Sequence, residues 1–139
     1  MEPQIRQYVM DAYALLAFLG GEVGADVVQA RLSEPDTLSS VHAVNLCEVF
    51  YQSLRDTDRA TAEQGIADLL ALGLVVREDL DTAFWQQVGE FKVNPGRLSL
   101  ADCFALALAQ REGATLVTTD HHEFDRVVPL NVATILFIR

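Results

Sequence analysis

The chain is short of positive charge. Its 139 residues carry 10 Lys and Arg against 20 Asp and Glu, a formal net charge of −10, and Lys92 is the single lysine. The basic footprint by which most nucleic-acid-binding domains capture a phosphate backbone is therefore missing. Cysteine is scarce as well. Cys47 and Cys103 lack the C-x-x-C spacing of a zinc knuckle or a thioredoxin-like redox pair. Both sit in apolar helical patterns and read as small buried thiols of a reducing cytoplasm. No apolar run approaches the roughly 18 residues of a membrane span. The polar residues 1–7 lack the basic-then-apolar order of a secretory leader. Repeats, linkers and low-complexity tracts are also missing. What is present is apolar mass. Half the residues are hydrophobic, which excludes charge-driven disorder. A chain of this length reads as a single domain, residues 1–139.

Short apolar runs alternate with helical stretches. Strands read at residues 8–10, 37–41, 74–76, 115–118 and 132–138, and helices at 12–19, 23–32, 42–55, 58–72, 81–92 and 99–112. In the second helix, Val23, Val27, Ala30 and Leu32 are the candidate inward positions. Gly20-Gly21, Pro35-Asp36 and Asn94-Pro95-Gly96 are turn signals, and Gly73 and Gly113 are helix caps. Short strands separated by helices imply an α/β fold with a mainly parallel sheet and right-handed crossovers. Ligands of such sheets collect beyond the carboxyl ends of the strands. Asp11 and Asp120 fall at such ends. Phe84, Val88 and Phe91 share one helical face, so the aromatics around Trp85 read as packing rather than as base-stacking platforms.

Two further carboxylates stand where apolar residues are expected. Glu48 interrupts the run Ala43-Val44-Asn45-Leu46-Cys47-Glu48-Val49-Phe50-Tyr51, with Gln52 one helical turn away. An ionised carboxylate there is costly unless it lies on an exposed stripe, pairs with a cation such as Arg55, or holds a ligand. Asp102 lies on a stripe with Leu98, Ala105, Leu106 and Ala109. Ser99 three residues earlier also gives it the spacing of a capping box. Asp11 and Asp120 are equally readable as helix N-caps. The fold sends all four toward one edge of the sheet. Two such charges about 5 Å apart repel by roughly 3 kcal/mol at an effective dielectric near 20, against a net domain stability of about 5–15 kcal/mol. A cluster of this kind must hold protons or cations. All-oxygen ligation suits Mg²⁺ or Mn²⁺, and such ions serve phosphate-ester hydrolysis by activating water and stabilising charge on phosphate oxygens.

Four segments, in order, carry a family resemblance: Val9-Met10-Asp11-Ala12-Tyr13-Ala14-Leu15-Leu16, Asn45-Leu46-Cys47-Glu48-Val49, Leu98-Ser99-Leu100-Ala101-Asp102-Cys103, and Leu116-Val117-Thr118-Thr119-Asp120 followed by Phe124-Asp125. Together they resemble the PIN-domain ribonucleases, most closely the small VapC-type toxins of type II toxin–antitoxin (VapBC) systems. The resemblance implies a three-layer α/β/α sandwich with a mainly parallel sheet of about five strands. It implies an endoribonuclease dependent on one or two Mg²⁺ or Mn²⁺ ions. By resemblance Asp11, Glu48 and Asp102 match the metal-binding and catalytic acids, and Asp120 matches a fourth. Asp125 matches a more variable peripheral acid and Thr118 a supporting hydroxyl. Asn45, three residues before Glu48 on a neighbouring helical face, reads either as a group that orients a carboxylate or phosphate or as a surface Asn. Implied partners are RNA, a cognate antitoxin and a second copy of the chain. The implied location is the cytoplasm, with no membrane.

Tyr13 departs from the pattern, because many relatives carry Ser or Thr two residues after the first Asp. It is expected to enter the core or line the substrate groove. His121 and His122 read as solvated loop residues, since adjacent helical side chains diverge by about 100° and cannot easily share one ion. Discounting five candidate site acids still leaves −10 + 5 = −5, so RNA capture is expected to be weak and selective. Arg6, Arg31, Arg55, Arg59, Arg97 and Arg126 are the candidate phosphate contacts. A receiver-type phosphoacceptor fits poorly, because Lys92 lies in a helix and the strand at 74–76 is followed by Arg77 and Glu78. An Asp-nucleophile phosphatase wants Asp-x-Asp where this chain has Asp11-Ala12-Tyr13. A flap-type DNA nuclease would need a helical arch or a basic insert. The stronger alternative is a non-catalytic PIN-like metal- or RNA-binding module.

Overall fold

Alternation of side chains along the central strands sets up the layers. In β1 (Arg6–Met10), Tyr8 and Met10 enter one apolar cluster and Val9 the other. In β4 (Thr115–Thr118), Val117 and Leu116 divide in the same way. This period-2 pattern is that of a strand buried on both faces. A computed structural model describes residues 4–139. Residues 1–3 lie outside the described residues, and with them the start of the polar stretch 1–7 and the outer end of the expected domain.

Five strands form one sheet in the order β3-β2-β1-β4-β5, every pair parallel. The remaining strands are β2 (Thr37–His42), β3 (Val75–Arg77) and β5 (Thr134–Phe137). On one face pack α1 (Ala12–Leu19), α2 (Ala25–Ser33), α3 (Ala43–Asp56) and α4 (Arg59–Ala71), through Leu15, Val28, Val49 and Leu69. On the other pack α5 (Thr82–Phe91) and α6 (Leu100–Glu112), through Phe84, Val88, Phe91 and Leu106. A short α7 (His121–Phe124) follows β4. The expected α/β/α sandwich is thus present. Among the described residues no helix is long and apolar enough to cross a membrane.

The chain moves outward from β1 to β2 and β3, then crosses back over the sheet to β4 on the other side of β1. The strand order therefore reverses between β1 and β4, and the crevice above their carboxyl ends is where this topology places a ligand. Asp11 follows β1 directly, and Asp120 follows β4 after Thr119.

Several local expectations change. The second helix starts at Ala25, and Val23 is 71% exposed rather than inward. Gly24 has φ +98, and a side chain there would meet Ile138 at 2.8 Å, so the close approach of the C-terminal segment delays the helix. Leu32 is buried as expected, Val27 packs against the same cluster, and Val28 is a further buried position. Cys103 is buried as expected, but Cys47 is exposed. The turn carrying Cys47 shows its Val49 side to the sheet. Phe84, Val88 and Phe91 are core residues and Trp85 is half exposed.

Candidate metal centre at the carboxyl edge of the sheet

Asp11 is the hub. It caps α1, with Oδ1 accepting a hydrogen bond from the Ala14 amide at 2.8 Å. Its own amide donates to the Val117 carbonyl at 3.1 Å, which welds the end of β1 to β4. Oδ2 accepts a hydrogen bond from the Thr118 hydroxyl. That hydroxyl in turn accepts from the Asp120 amide at 2.9 Å. Thr118 therefore ties the first acid to the fourth. Asp120 caps α7, its Oδ1 accepting from the Glu123 amide at 3.0 Å.

The other acids arrive on helices from opposite faces of the sheet. Asp102 occupies the first turn of α6, and its amide donates to the Ser99 hydroxyl at 3.1 Å. Ser99 thus caps the helix, and Asp102 as a residue is buried, at 5% exposure. Asn45 is fully buried, and its Nδ2 donates to the Ala101 carbonyl at 3.0 Å. It fixes α3 against the turn that bears Asp102. Glu48, one turn further along α3, is half-buried and meets Gln52 Nε2 at 3.4 Å. Arg55 does not neutralise it, because that guanidinium is engaged by Gln52 at 2.9 Å and Asp56 at 3.9 Å. Tyr13 is 41% exposed beside these groups. Burial first, and then the nearby Glu48 carboxylate, push its hydroxyl pKa up. It lines the groove rather than the core.

The electrostatics follow from this packing. Burial pushes the Asp11 carboxyl up to about 7, against the opposing hydrogen bonds of Thr118 and Ala14 and with the help of Asp102 and Asp120. Burial also raises Asp102 to about 7, with Asp120, Glu123 and Glu48 adding repulsion and Ser99 opposing. Among the described residues, no Lys or Arg forms an ion pair with Asp11, Glu48, Asp102, Asp120 or Glu123.

Asp125 stands apart from the other acids. It is exposed and bonded to His121 at 2.8 Å, outside the group of converging carboxylates. The acid that turns inward on this segment is Glu123. One carboxylate oxygen each from Asp102, Asp120 and Glu123 lie within 4.8 Å of one another. The D-x-x-E spacing of Asp120 and Glu123 is the available sequence signal, since a cap and the residue three later share one side of a helical turn. Asp125, five residues on, is rotated away by about 140°. His121 is helical rather than looped, stacked on Phe137 at 4.0 Å and bonded to the Arg139 carbonyl.

The donor set fits a hard divalent cation. It is all carboxylate, and Glu123 Oε2 is a buried oxygen with no hydrogen-bond partner. A parallel α/β sandwich with acidic groups gathered at its switch point is an arrangement able to hold a divalent cation at the carboxyl edge of the sheet. The sequence pattern of the PIN domain matches residues 8–128, and the chain belongs to the PIN domain family. No curated protein matches the chain. Solved structures do. The VapBC2 complex of Rickettsia felis, bound to a DNA fragment from its promoter, contains a chain that is 15% identical with a TM-score of 0.75, covering 94% of this chain and 98% of that one. VapC20 of Mycobacterium tuberculosis, a sarcin–ricin-loop-cleaving toxin, is 16% identical with a TM-score of 0.68, covering 86% and 94%. PAE2754 of Pyrobaculum aerophilum is 20% identical with a TM-score of 0.64, covering 94% and 89%. At these identities the likeness is one of fold.

Proposed function

We propose that the chain is a single-domain, divalent-metal-dependent endoribonuclease, the toxin of a toxin–antitoxin pair acting in the cytoplasm. Asp11, Glu48, Asp102 and Asp120 serve as its metal-holding and catalytic acids, and Thr118 and Asn45 support them. The observation that carries this reading is the convergence of Asp11, Asp102 and Asp120 on the switch point of a PIN fold with no cation beside them. The similar VapBC complex supports an antitoxin partner, and a homodimer is part of the same proposal.

When bound, one or two Mg²⁺ or Mn²⁺ ions supply positive charge for the phosphate oxygens and acidify water at the scissile bond. The chain's residues prepare for this. Carboxyls with a pKa near 7 are about half protonated at neutral pH, so Asp11 and Asp102 release protons as a cation arrives. Thr118 holds the Asp11 carboxylate and the turn bearing Asp120 in one orientation. Asn45 does the same for the turn bearing Asp102.

RNA capture falls to few groups. Arg6 and Arg31 pair with Glu34, Arg55 with Asp56, and Arg59 with Glu63. Of the candidate phosphate contacts, Arg97 and Arg126 have no carboxylate partner among the described residues. They are the contacts the reading favours.

Incubation of a total-RNA pool with the protein and Mg²⁺ or Mn²⁺, followed by end mapping, tests the proposal. The expected result is cleavage leaving 5′-phosphate and 3′-hydroxyl ends, lost with chelator and with Asp11→Asn. Metal binding without turnover would leave the chain a non-catalytic PIN module.

A further inference from the structure

We infer that Glu123 is a direct metal ligand, bridging the α6 and α7 sides of the site together with Asp102 and Asp120. The inference rests on the reading of this edge as a metal centre, and it assigns a residue that the family-like acids leave out. Oxygen ligands about 2.0–2.1 Å from Mg²⁺ stand about 3 Å apart when adjacent and about 4.2 Å apart when opposite. The three carboxylate oxygens, within 4.8 Å of one another, are already near that span. Small side-chain rotations would close the difference.

Glu123 is also the one of these acids with a carboxylate oxygen that is both shut off from solvent and without a hydrogen-bond partner. Both oxygens of Asp11 are occupied, by the Ala14 amide and the Thr118 hydroxyl, and Asp120 Oδ1 caps α7. Glu123 Oε2 is closed off from solvent and bonded to nothing. Leaving a carboxylate oxygen in that state is unfavourable, and ligation removes the penalty. The obvious competing partner is not used. Arg126, three residues on, donates to the His122 carbonyl at 3.2 Å and forms no ion pair with Glu123. The placement is also fixed. The Glu123 amide is tied to Asp120, and the next residue, Phe124, is fully buried in the core.

The test is Mn²⁺ binding to the intact chain, followed by calorimetry and by electron paramagnetic resonance, for the wild type, Glu123→Gln, Glu123→Asp and Asp125→Asn. Glu123→Gln is expected to weaken binding about tenfold or more. Glu123→Asp keeps the charge but shortens the reach, and it is expected to weaken binding too. Asp125→Asn is expected to bind as the wild type does. Without metal, Glu123→Gln should melt at or above the wild-type temperature, because one uncompensated carboxylate has gone, and this rules out misfolding as the cause of weaker binding. Wild-type affinity in Glu123→Gln, or in Glu123→Asp, would overturn direct ligation while leaving the metal centre in place. A wild type that binds no Mn²⁺ would overturn both.

Discussion

Asp79 and Asp81 stand beside two arginines, whereas Asp11 and Asp102 stand beside none. At the exit of β3, Arg77 reaches Asp79 at 2.9 Å and Glu112 at 2.7 Å. Arg111 reaches Asp79 at 3.1 Å and Asp81 at 2.5 Å, and lies 5.0 Å over the Phe84 ring. The Arg111 guanidinium lowers Asp81 to about 2. Burial works to raise Asp79, but Arg77 and Arg111 outweigh it and leave its pKa below the usual value. At the carboxyl edge of β1 and β4, burial and mutual repulsion instead raise Asp11 and Asp102 to about 7. The same residue type is handled in two ways within one small fold. One cluster carries its counter-ions in the chain. The other leaves room for cations from outside, and that difference supports its proposal as the metal site.

The largest test of the contrast is Asp102→Asn. Cleavage should fall by about 10³-fold or more, as for members of a catalytic unit. In the metal-free protein, stability at pH 8 should rise by up to about 4 kcal/mol, from a shift of roughly three pKa units at 1.36 kcal/mol each. Activity assays and chemical denaturation read the two effects. A loss of stability without metal would show that the carboxylate is compensated after all.

pH separates the clusters next. The folded form of the metal-free chain holds protons on Asp11 and Asp102 that the unfolded chain gives up near pH 4. Their stabilisation is therefore full below about pH 4 and lost as pH rises through about 7. Asp79 and Asp81 have the opposite sign. Their contribution is present above about pH 4 and lost as pH falls, toward about 2 for Asp81. Melting curves without metal should thus fall between pH 5 and 8. Mn²⁺ at a hundred times its dissociation constant should restore about 2.7 kcal/mol at pH 8. A melting temperature that climbs over that range without metal would contradict the raised values.

Three smaller effects follow. Thr118→Val removes the hydroxyl shared by Asp11 and the Asp120 amide, and should reduce kcat about tenfold with little change in KM, a loss near 1.4 kcal/mol. Arg111→Ala should lower the melting temperature, by less than Asp102→Asn raises it, and leave cleavage unchanged. Arg97→Ala and Arg126→Ala should each raise KM a few-fold and flatten its salt dependence by about one phosphate contact. The paired Arg59→Ala should do neither, and steady-state kinetics at two salt concentrations distinguish them.

Much of this was legible in the sequence because the signals are local. Apolar runs ending at Asp11 and Thr118, the Gly113 cap at φ +61, and the Ser99 cap placed the strands and helices to within a few residues. The helix at 23–32 was misplaced at its start because the obstacle, Ile138, is remote in sequence. Within the site, the resemblance matched Asp125 and was silent on Glu123, whose carboxylate lies with those of Asp102 and Asp120 while Asp125 is exposed. A stagger of two residues on a four-residue helix reverses the direction of the side chain.

The sequence by itself determined the order of elements and delivered acids to the ends of β1, β4 and α6, since periodicity, capping and turn chemistry act over a few residues. Only the tertiary structure decided which charges meet. Asp11 and Thr118 bond across 107 positions, and Arg111 reaches Asp81 across 30. Cys47 and Asp125 are left outside, and Glu123 is brought in. Burial and Coulomb repulsion depend on distances through the folded core, and those distances exist only once the two helical layers have closed on the sheet.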